Sequence, residues 1–268
     1  QMCIRDRHDV LRTKVLRFFF KLWGIRVAVI DKGRKEKQEL TSRRAKVLRP
    51  LRSSFERYGE VFVSLGVSFV PNFVSLYDEG VGDEGLYSEL TPPKSSGERW
   101  IGVAPFAKHK GKIYPLDRME KVVSKLSEES RVKIFLFGSG DREREILSLW
   151  RERYPGVISL ADKRYGFAVE LSLMSRLDVM ISMDSANMHL ASLVEVPVVS
   201  VWGATHPYCG FLGWRQSDSG VVELPLDCRP CSVFGNKPCY RKDYACLEIA
   251  PETIVDRVKS LETLIKEK

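Results

Sequence analysis

The sequence lacks the long apolar run that a membrane-spanning helix needs. Such a helix takes about 18 or more consecutive apolar residues, and the apolar stretches over 16–23 and 198–202 are far shorter. Residues 1–12 alternate charged and apolar side chains, without the apolar region and small-residue cleavage site of a secretory signal. We therefore expect a soluble protein of the cytoplasm.

Signatures of nucleic-acid recognition are also missing, since the sequence holds no aromatic-and-glycine RNA-binding motif and no recognition-helix pattern. The formal net charge is nevertheless +8, with basic residues concentrated in 32–37 and 43–46. This charge favours an anionic partner, and a phosphorylated lipid or a sugar nucleotide fits it better than a nucleic acid. The competing interpretation of these basic stretches is a solvated helix face.

Cysteines are few, and no secretion signal accompanies the six that are present, which disfavours disulfides. Four of them lie close together, at Cys228, Cys231, Cys239 and Cys246. Thiolates at these positions could bind zinc tetrahedrally, although their spacings fit no common zinc-ribbon pattern. The alternative is that the four thiols pack as small apolar side chains in a loop-rich segment.

The second half of the chain has the pattern of a parallel sheet flanked by helices, because short β-rich runs alternate with longer helical stretches. The predicted strands are 100–104, 132–137, 157–160, 179–183 and 198–202. Predicted helices follow Pro115, begin near Asp141 and occupy the tail from Pro251. This half is predicted to be one Rossmann-like domain.

The first half carries fragments of another α/β unit. An apolar helix precedes a buried strand over 25–31. Basic helical sequence over 41–58, interrupted at Pro50, leads to an extended stretch over 61–70. A segment over 78–98 that is rich in glycine, proline, serine and acidic residues predicts a linker. The chain is thus predicted to be an α/β protein with domains 1–97 and 98–268.

The strongest chemical signal is a buried strand that ends in Asp184-Ser185 with a helix beginning at once. The free amides and positive dipole of that helix would hold a diphosphate, and Ser185 could donate its hydroxyl. His189 lies about one turn into the helix and could reach the same ligand. The alternative is that Asp184 or Ser185 only caps the helix and that His189 is a core residue.

A lysine-rich loop strengthens the binding interpretation. Lys108, Lys110 and Lys112 follow the first strand of the same domain, and so belong to the same edge of the sheet as Asp184. No Asp-Xaa-Asp pair follows a strand to hold a divalent cation, so lysines and helix amides must stabilise a departing diphosphate. This combination predicts a metal-independent transferase. The alternative for the loop is a solvated turn.

Two further loops belong to the same sheet edge. Gly138-Ser-Gly-Asp141 follows the second strand, and Asp141 or Glu143 suits the hydroxyls of a ribose. The third strand is followed by a loop in which Tyr165 or Phe167 could pack on an adenine ring. A helix cap and a core aromatic are the alternatives at these positions.

These motifs resemble glycosyltransferase family 9, the ADP-heptose:lipopolysaccharide heptosyltransferases. The resemblance covers nearly the whole chain from about His8, and it rests on 184–191, 197–205, 104–115 and the cysteine-bearing segment before the last helix. It implies two Rossmann-like domains in the GT-B arrangement, with the N-terminal one incomplete. The N-terminal domain would bind the acceptor and the C-terminal domain the nucleotide sugar.

The resemblance also implies roles for single residues. Lys112 and the amides of Ser185 and Ala186 would contact the donor phosphates, and Lys108 would lie in the same loop. Asp184 and His189 would lie near the heptose and the diphosphate, with Tyr165 beside the adenine. The family usually has glycine where this chain has Ala186, which is a departure at the point where backbone approaches phosphate.

A larger departure lies at the N-terminus. The family begins with a strand and a glycine-containing loop that carries the acidic residue proposed as catalytic base, and nothing before His8 resembles them. We therefore expect an N-terminally truncated chain whose catalytic base lies in the missing segment. No catalytic residue can be named here.

The implied reaction is an inverting, metal-independent transfer of heptose from ADP-heptose to the lipopolysaccharide inner core, with no cofactor required. The basic N-terminal region would face the anionic acceptor, giving a cytoplasmic protein in peripheral contact with the inner membrane surface. One alternative is a transferase that uses another nucleotide sugar, which donor profiling would reveal. Another is a non-catalytic nucleotide- or polyanion-binding fragment, which salt-sensitive binding without ADP preference would favour.

Overall fold

The structure is a computed structural model that describes residues 3–6, 11–68 and 70–266, except the side chains of residues 3–6, 12 and 264–266. It divides into two compact units. The first consists of residues up to Phe73 together with Pro207–Leu212, and the second of Val74–His206 together with residues from Gly213 onward. Each unit has its own parallel sheet.

The division between the units falls after Phe73, not at residue 97 as the sequence predicted. The expected linker packs on the second unit: the Gly82 amide donates to Ser175 Oγ over 2.8 Å. The buried ring of Tyr87 meets the edge of Trp100 with centroids 6.1 Å apart. Apolar burial by residues such as Tyr87 therefore outweighs the polar, glycine-rich composition of the segment.

The first unit contains a two-stranded parallel sheet and three helices. Its elements are β1 (Cys3–Asp6), α1 (Leu11–Leu22), β2 (Arg26–Val29), α2 (Arg34–Leu40) and α3 (Ser54–Val63). Strands β1 and β2 pair in parallel with Cys3 opposite Arg26. The predicted apolar helix and the strand after it are both present.

A capping box starts α3 shortly after Pro50, where the sequence predicted an interruption of the helix. Ser53 Oγ accepts from the Glu56 amide, and the Glu56 carboxylate accepts from the Ser53 amide. Residues 41–53 contain no helix, so the predicted helix over 41–58 is wrong in that part. The extended stretch predicted from residue 61 is also wrong, because α3 continues to Val63 and buries Val61. Packing overrides the strand preference of valine and phenylalanine here.

The second unit contains a six-stranded sheet with helices between the strands. Its strands are β3 (Arg99–Ala104), β4 (Val132–Leu136), β5 (Val157–Ser159), β6 (Val179–Met183), β7 (Val198–Trp202) and β8 (Val221–Glu223). Its helices are α4 (Leu116–Ser127), α5 (Asp141–Arg153), α6 (Phe167–Met174), α7 (Ala186–Leu193) and α8 (Pro251–Lys266). The five strands predicted from residue 99 onward are confirmed, and β8 is an addition at the sheet edge.

All neighbouring strands of this sheet are parallel, in the order β5-β4-β3-β6-β7-β8. Strands β4 and β5 follow β3 along the chain and extend the sheet on one side of it. Strand β6 then pairs with the other side of β3, and β7 and β8 extend the sheet in that direction. The point between β3 and β6 is therefore the topological switch point, where Rossmann-type sheets bind nucleotides outside the carboxyl ends of the strands. The predicted Rossmann-like domain is confirmed.

Helices on the sheet contribute apolar stripes at helical spacing. In α4 the buried positions are Met119, Val122, Val123 and Leu126, and in α8 they are Ile254, Val255, Val258 and Leu261. Strands β6 and β7 are buried along their whole length. Across the part of the chain that the structure describes, no helix is both long and apolar enough to cross a bilayer.

Candidate functional site

The loops after β3 and β6 meet at the switch point of the second unit. Strands β3 and β6 are direct neighbours, with Ala104 opposite Ser182. The loop after β3 includes a single 3-10 turn, Lys110–Lys112, and the loop after β6 consists of Asp184 and Ser185 before α7 begins. Two sequence motifs 70 to 80 residues apart are thereby brought to one place.

An ion pair joins these two loops. Lys112 Nζ lies 2.9 Å from Asp184 Oδ2, and the two side chains are only 16% and 6% exposed. Asp184 Oδ2 is buried and has no hydrogen bond of good geometry among the described residues, so its contact with the ammonium is mainly electrostatic. An ammonium carries three donors, and the pairing with Asp184 leaves capacity for another anion at the same position.

The N-terminus of α7 presents backbone amides beside this pair. Ser185 occupies the N-cap position in an extended conformation, but its side chain makes no capping hydrogen bond. Its Oγ instead lies 3.3 Å from Ser182 Oγ. The first helical residue, Ala186, is exposed. The amides of the first turn, which have no partner inside the helix, therefore receive no side-chain cap and suit an anionic ligand.

His189 lies one turn into α7 and is half-buried. Burial lowers the pKa of His189, the charge of Lys112 lowers it further, and the nearby Asp184 carboxylate acts in the opposite direction. Its imidazole is therefore neutral at pH 7 and is electrostatically coupled to both members of the ion pair. The structure thus brings Lys112, Asp184, Ser185 and His189 into one group, as the sequence predicted for this sheet edge.

The other two lysines of the loop lie differently. Lys108 is exposed, and Lys110 places its ammonium 5.0 Å from the ring centroid of Tyr244. A cation over an aromatic face is held by the ring quadrupole. Only Lys112 of the three lysines is paired with Asp184.

The loop after β4 folds back on the carboxylate of Glu143 and not on that of Asp141. Asp141 has a side chain that is 91% exposed and lies 3.3 Å from Arg144 one turn on. Glu143, the alternative named for this loop, accepts from the Ser139 amide over 2.8 Å. Glu143 therefore stays against the loop at the carboxyl edge, while Asp141 faces solvent at the start of α5.

The loop after β5 places two aromatic side chains before α6. Tyr165 is half-buried, with the Lys163 ammonium 4.9 Å from its ring centroid. Phe167 is 67% exposed. Tyr165 is the more buried of the two rings, and it already contacts a cation.

The four clustered cysteines are not arranged as a metal site in this structure. Among the described residues, no group of three or more histidine, cysteine, aspartate or glutamate side chains is placed to hold a metal ion. Cys231 Sγ approaches the Ala204 carbonyl and Cys239 Sγ approaches Asp243, and none of the four cysteines takes part in a disulfide within the part of the chain that the structure describes. Burial raises the pKa of Cys246 to about 11, so that this thiol is neutral at pH 7.

Sequence reasoning missed Arg229, which is buried beneath the loop after β7. Its guanidinium donates to the carbonyls of Gly203, Leu224 and Thr205 and to the Glu223 carboxylate, over 2.5–2.9 Å. Four hydrogen bonds from the three nitrogens of one planar group suit the guanidinium fork of arginine. Nothing in a Cys-Arg-Pro sequence distinguishes a buried arginine from an exposed one.

A parallel sheet in this order, with helices between its strands, defines an α/β protein of the Rossmann type. The family model "Glycosyltransferase family 9 (heptosyltransferase)" matches residues 82–239, more than half of the chain. The chain therefore belongs to glycosyltransferase family 9.

Relatives of known identity agree with this placement. Lipooligosaccharide heptosyltransferase 2 of Campylobacter jejuni (serotype O:6) is 25% identical over 172 residues, which are 63% of this chain and 53% of that protein. The chain thus spans about half the length of the curated relatives it matches.

Solved structures share the fold. The family 9 glycosyltransferase from Veillonella parvula aligns with a TM-score of 0.69 at 17% identity, over 98% of this chain and 74% of that one. The E. coli heptosyltransferase WaaC with ADP aligns with a TM-score of 0.61 at 16% identity, over 97% of this chain and 73% of that one.

Proposed function

We propose that this chain contains the donor-binding half of a heptosyltransferase that moves heptose from ADP-heptose to the inner core of lipopolysaccharide. The observation that carries the proposal is the group formed by Lys112, Asp184 and His189 at the uncapped N-terminus of α7. Family membership supports the class of reaction, and the site supports the kind of donor.

The diphosphate of the donor would lie against α7. The amides of Ser185 and Ala186 would donate to phosphate oxygens, with the helix dipole favouring their negative charge. Lys112 would contribute an ammonium that Asp184 already holds next to those amides, 2.9 Å from its carboxylate. His189 is neutral, so it would act as a hydrogen-bonding group toward the sugar or phosphate and not as a charge.

The transfer itself needs charge stabilisation at the leaving group. The acceptor oxygen forms its bond to the anomeric carbon while the bond from that carbon to the β-phosphate oxygen breaks, which inverts the configuration. Negative charge then grows on the departing diphosphate, where Lys112 and the α7 amides would stabilise it. The acceptor proton would go to a carboxylate base of the N-terminal domain, which is not identified here.

Lysine and amide donors would fill the role that a divalent cation has in transferases with paired aspartates, and we propose metal-independent transfer on that basis. The nucleoside part would extend toward the loops after β4 and β5. There Glu143 suits the ribose hydroxyls better than the exposed Asp141, and Tyr165 suits the base. The E. coli structural relative was solved with ADP, which supports adenine as that base.

Calorimetric titration of this chain with ADP, with and without a chelator, tests the donor site. Saturable 1:1 binding that survives the chelator is expected. Lys112→Met should weaken it by about tenfold or more, since a hydrogen bond to a charged group contributes about 1.5–3 kcal/mol. Lys108→Met is the matched control and should bind ADP as the wild type does. Equal binding by both variants would reject the site.

The sugar is tested separately by competition among nucleotide sugars. ADP-heptose should displace ADP more effectively than UDP- or GDP-linked hexoses do. If UDP-linked sugars compete better, the chain belongs to a transferase with another donor. If binding shows no nucleotide preference and falls steeply with salt, the polyanion-binding alternative holds.

The basic stretch of the first unit is proposed to face the anionic acceptor at the membrane surface. Arg34, Lys35, Arg43 and Arg44 are exposed there. Cosedimentation with vesicles of anionic and zwitterionic lipid should give binding to the anionic ones only, lost at high salt. Binding that ignores lipid charge would contradict this orientation of the first unit toward the membrane.

A further inference from the structure

Three glycines from distant parts of the chain bring three backbones into contact behind Lys112. A Cβ atom built on Gly203 would lie 2.5 Å from the Gly111 carbonyl oxygen. One on Gly111 would lie 2.8 Å from Ala204 Cβ and 3.4 Å from the Gly235 carbonyl oxygen. The loop after β3, the loop after β7 and the cysteine-bearing segment (residues 224–248) therefore pack backbone against backbone.

Gly235 contacts the side chain of Lys112 directly. A Cβ on Gly235 would overlap Lys112 Cγ and lie 2.6 Å from Cδ. Gly235 also has φ +72, in the left-handed region where glycine is favoured. The aliphatic stem of Lys112 thus lies along a bare stretch of backbone, and the Lys112 ammonium beyond it reaches Asp184.

The cysteine-bearing segment is fixed firmly enough to act as a support. Arg229 joins it to the carbonyls of Gly203 and Thr205. The Cys231 amide donates to the Ala204 carbonyl over 3.1 Å, and the Ala204 amide donates to the Gly111 carbonyl over 2.8 Å. The segment is therefore tied through the loop after β7 to the residue immediately before Lys112.

We propose that Gly235 is a positioning residue for Lys112: its lack of a side chain gives the lysine stem the path that places the ammonium between Asp184 and the donor phosphates. The part of this inference that concerns phosphate rests on the proposed function. The part that concerns the path of the stem rests only on the packing. A side chain at residue 235 displaces the stem and moves the ammonium away from Asp184.

The test compares Gly235→Ala with Gly80→Ala. Gly80 has φ +76 with open space around its Cβ position, so it carries the same backbone penalty without the contact. Each substitution is made in the wild-type and in the Lys112→Ala chain, since alanine removes the Cγ and Cδ atoms that a new side chain would meet. Thermal unfolding without ligand and ADP titration are measured for every variant.

Gly235→Ala is expected to lower Tm more than Gly80→Ala does, and the difference is expected to shrink in the Lys112→Ala background. ADP binding should weaken by about tenfold or more in Gly235→Ala, and by less than about twofold in Gly80→Ala. Adding Gly235→Ala to Lys112→Ala should weaken ADP binding no further. A purely structural role for Gly235 would instead weaken ADP binding equally in both backgrounds, and that result overturns the proposal.

If Gly235→Ala does not fold, Gly235→Asn with Gly80→Asn as its control replaces it, because asparagine tolerates the left-handed region. Equal Tm losses at residues 235 and 80 in both backgrounds also overturn the inference. If the wild-type chain does not bind ADP, the proposed function fails, and the Tm comparison still decides whether Gly235 positions Lys112.

Discussion

Removing the charge of Lys112 while keeping its length is the sharpest test of the ion pair at the switch point. Lys112→Met retains an unbranched stem along Gly235 but leaves the Asp184 carboxylate, which is 6% exposed, without its cation. Breaking a buried ion pair on one side costs about 3–5 kcal/mol. Because Lys112 is 16% exposed, we expect the lower end, about 3 kcal/mol.

The double variant Lys112→Met/Asp184→Asn separates the orphaned charge from the lost contact. It removes the unpaired carboxylate, so the free energy of unfolding should return to within about 1 kcal/mol of the wild type. Urea unfolding followed by tryptophan fluorescence gives these values, with Lys108→Met as the control in the same loop. The corresponding fall in Tm for the single variant is about 6–12 °C for a unit of this size.

Two results would refute the reasoning. One is a Lys112→Met variant as stable as Lys108→Met, which would mean that Asp184 is solvated or differently paired. The other is a double variant as unstable as the single one, since the lost stability would then not come from an orphaned carboxylate.

Three more predictions concern the same unit. Burial lowers the pKa of His189 below its ordinary value of 6.5, so around and below pH 6.5 the unfolded chain binds more protons than the folded one, and the free energy of unfolding should fall as pH falls through that value. Urea unfolding at pH 7.5 and 5.5 should show a smaller loss of stability in His189→Gln than in the wild type. An equal loss in both chains would contradict this prediction. Arg229→Met removes the guanidinium from three backbone carbonyls and from the Glu223 carboxylate, which keeps His206 at 3.3 Å. It should lower the free energy of unfolding by about 3 kcal/mol. Arg229→Lys should recover only part of this loss, and full recovery would show that the guanidinium fork is not needed. Gly102→Ala would drive a Cβ into Met180 Sδ and should lower the free energy of unfolding by about 1–3 kcal/mol through overpacking. An unchanged Tm would show that the surrounding core adjusts to the added methyl group without a loss of stability.

Most of the second unit was predictable because its strands are buried on both faces. Mostly apolar runs of four to six residues, separated by amphipathic helices, admit few arrangements other than a parallel sheet. The position of the candidate site followed from the same logic, since Asp184 comes directly after β6 and Lys112 lies in the loop that follows β3. Their ion pair was not predicted, because adjacency at one sheet edge does not determine which side chains meet.

The first unit was harder to predict. The irregular stretch over 41–53 ends at the capping box of Ser53, and α3 continues to Val63 because Val61 is buried. Local propensity reports neither feature. The preference for Glu143 over Asp141 has a similar origin. Both are acidic residues in the first turn of α5, and only the direction of each side chain separates them.

The sequence by itself determined the class of fold, the sheet edge that carries the candidate site and the residues that follow each strand. These follow from hydrophobic periodicity and from the succession of strands along the chain, which are local properties. Tertiary structure alone decided which of those residues touch: the pairing of Lys112 with Asp184, the contact of Gly235 with the lysine stem and the fork of Arg229 beneath the loop after β7. These contacts join segments far apart in the chain. Their distances are set by close packing of the whole unit, and no local pattern records them.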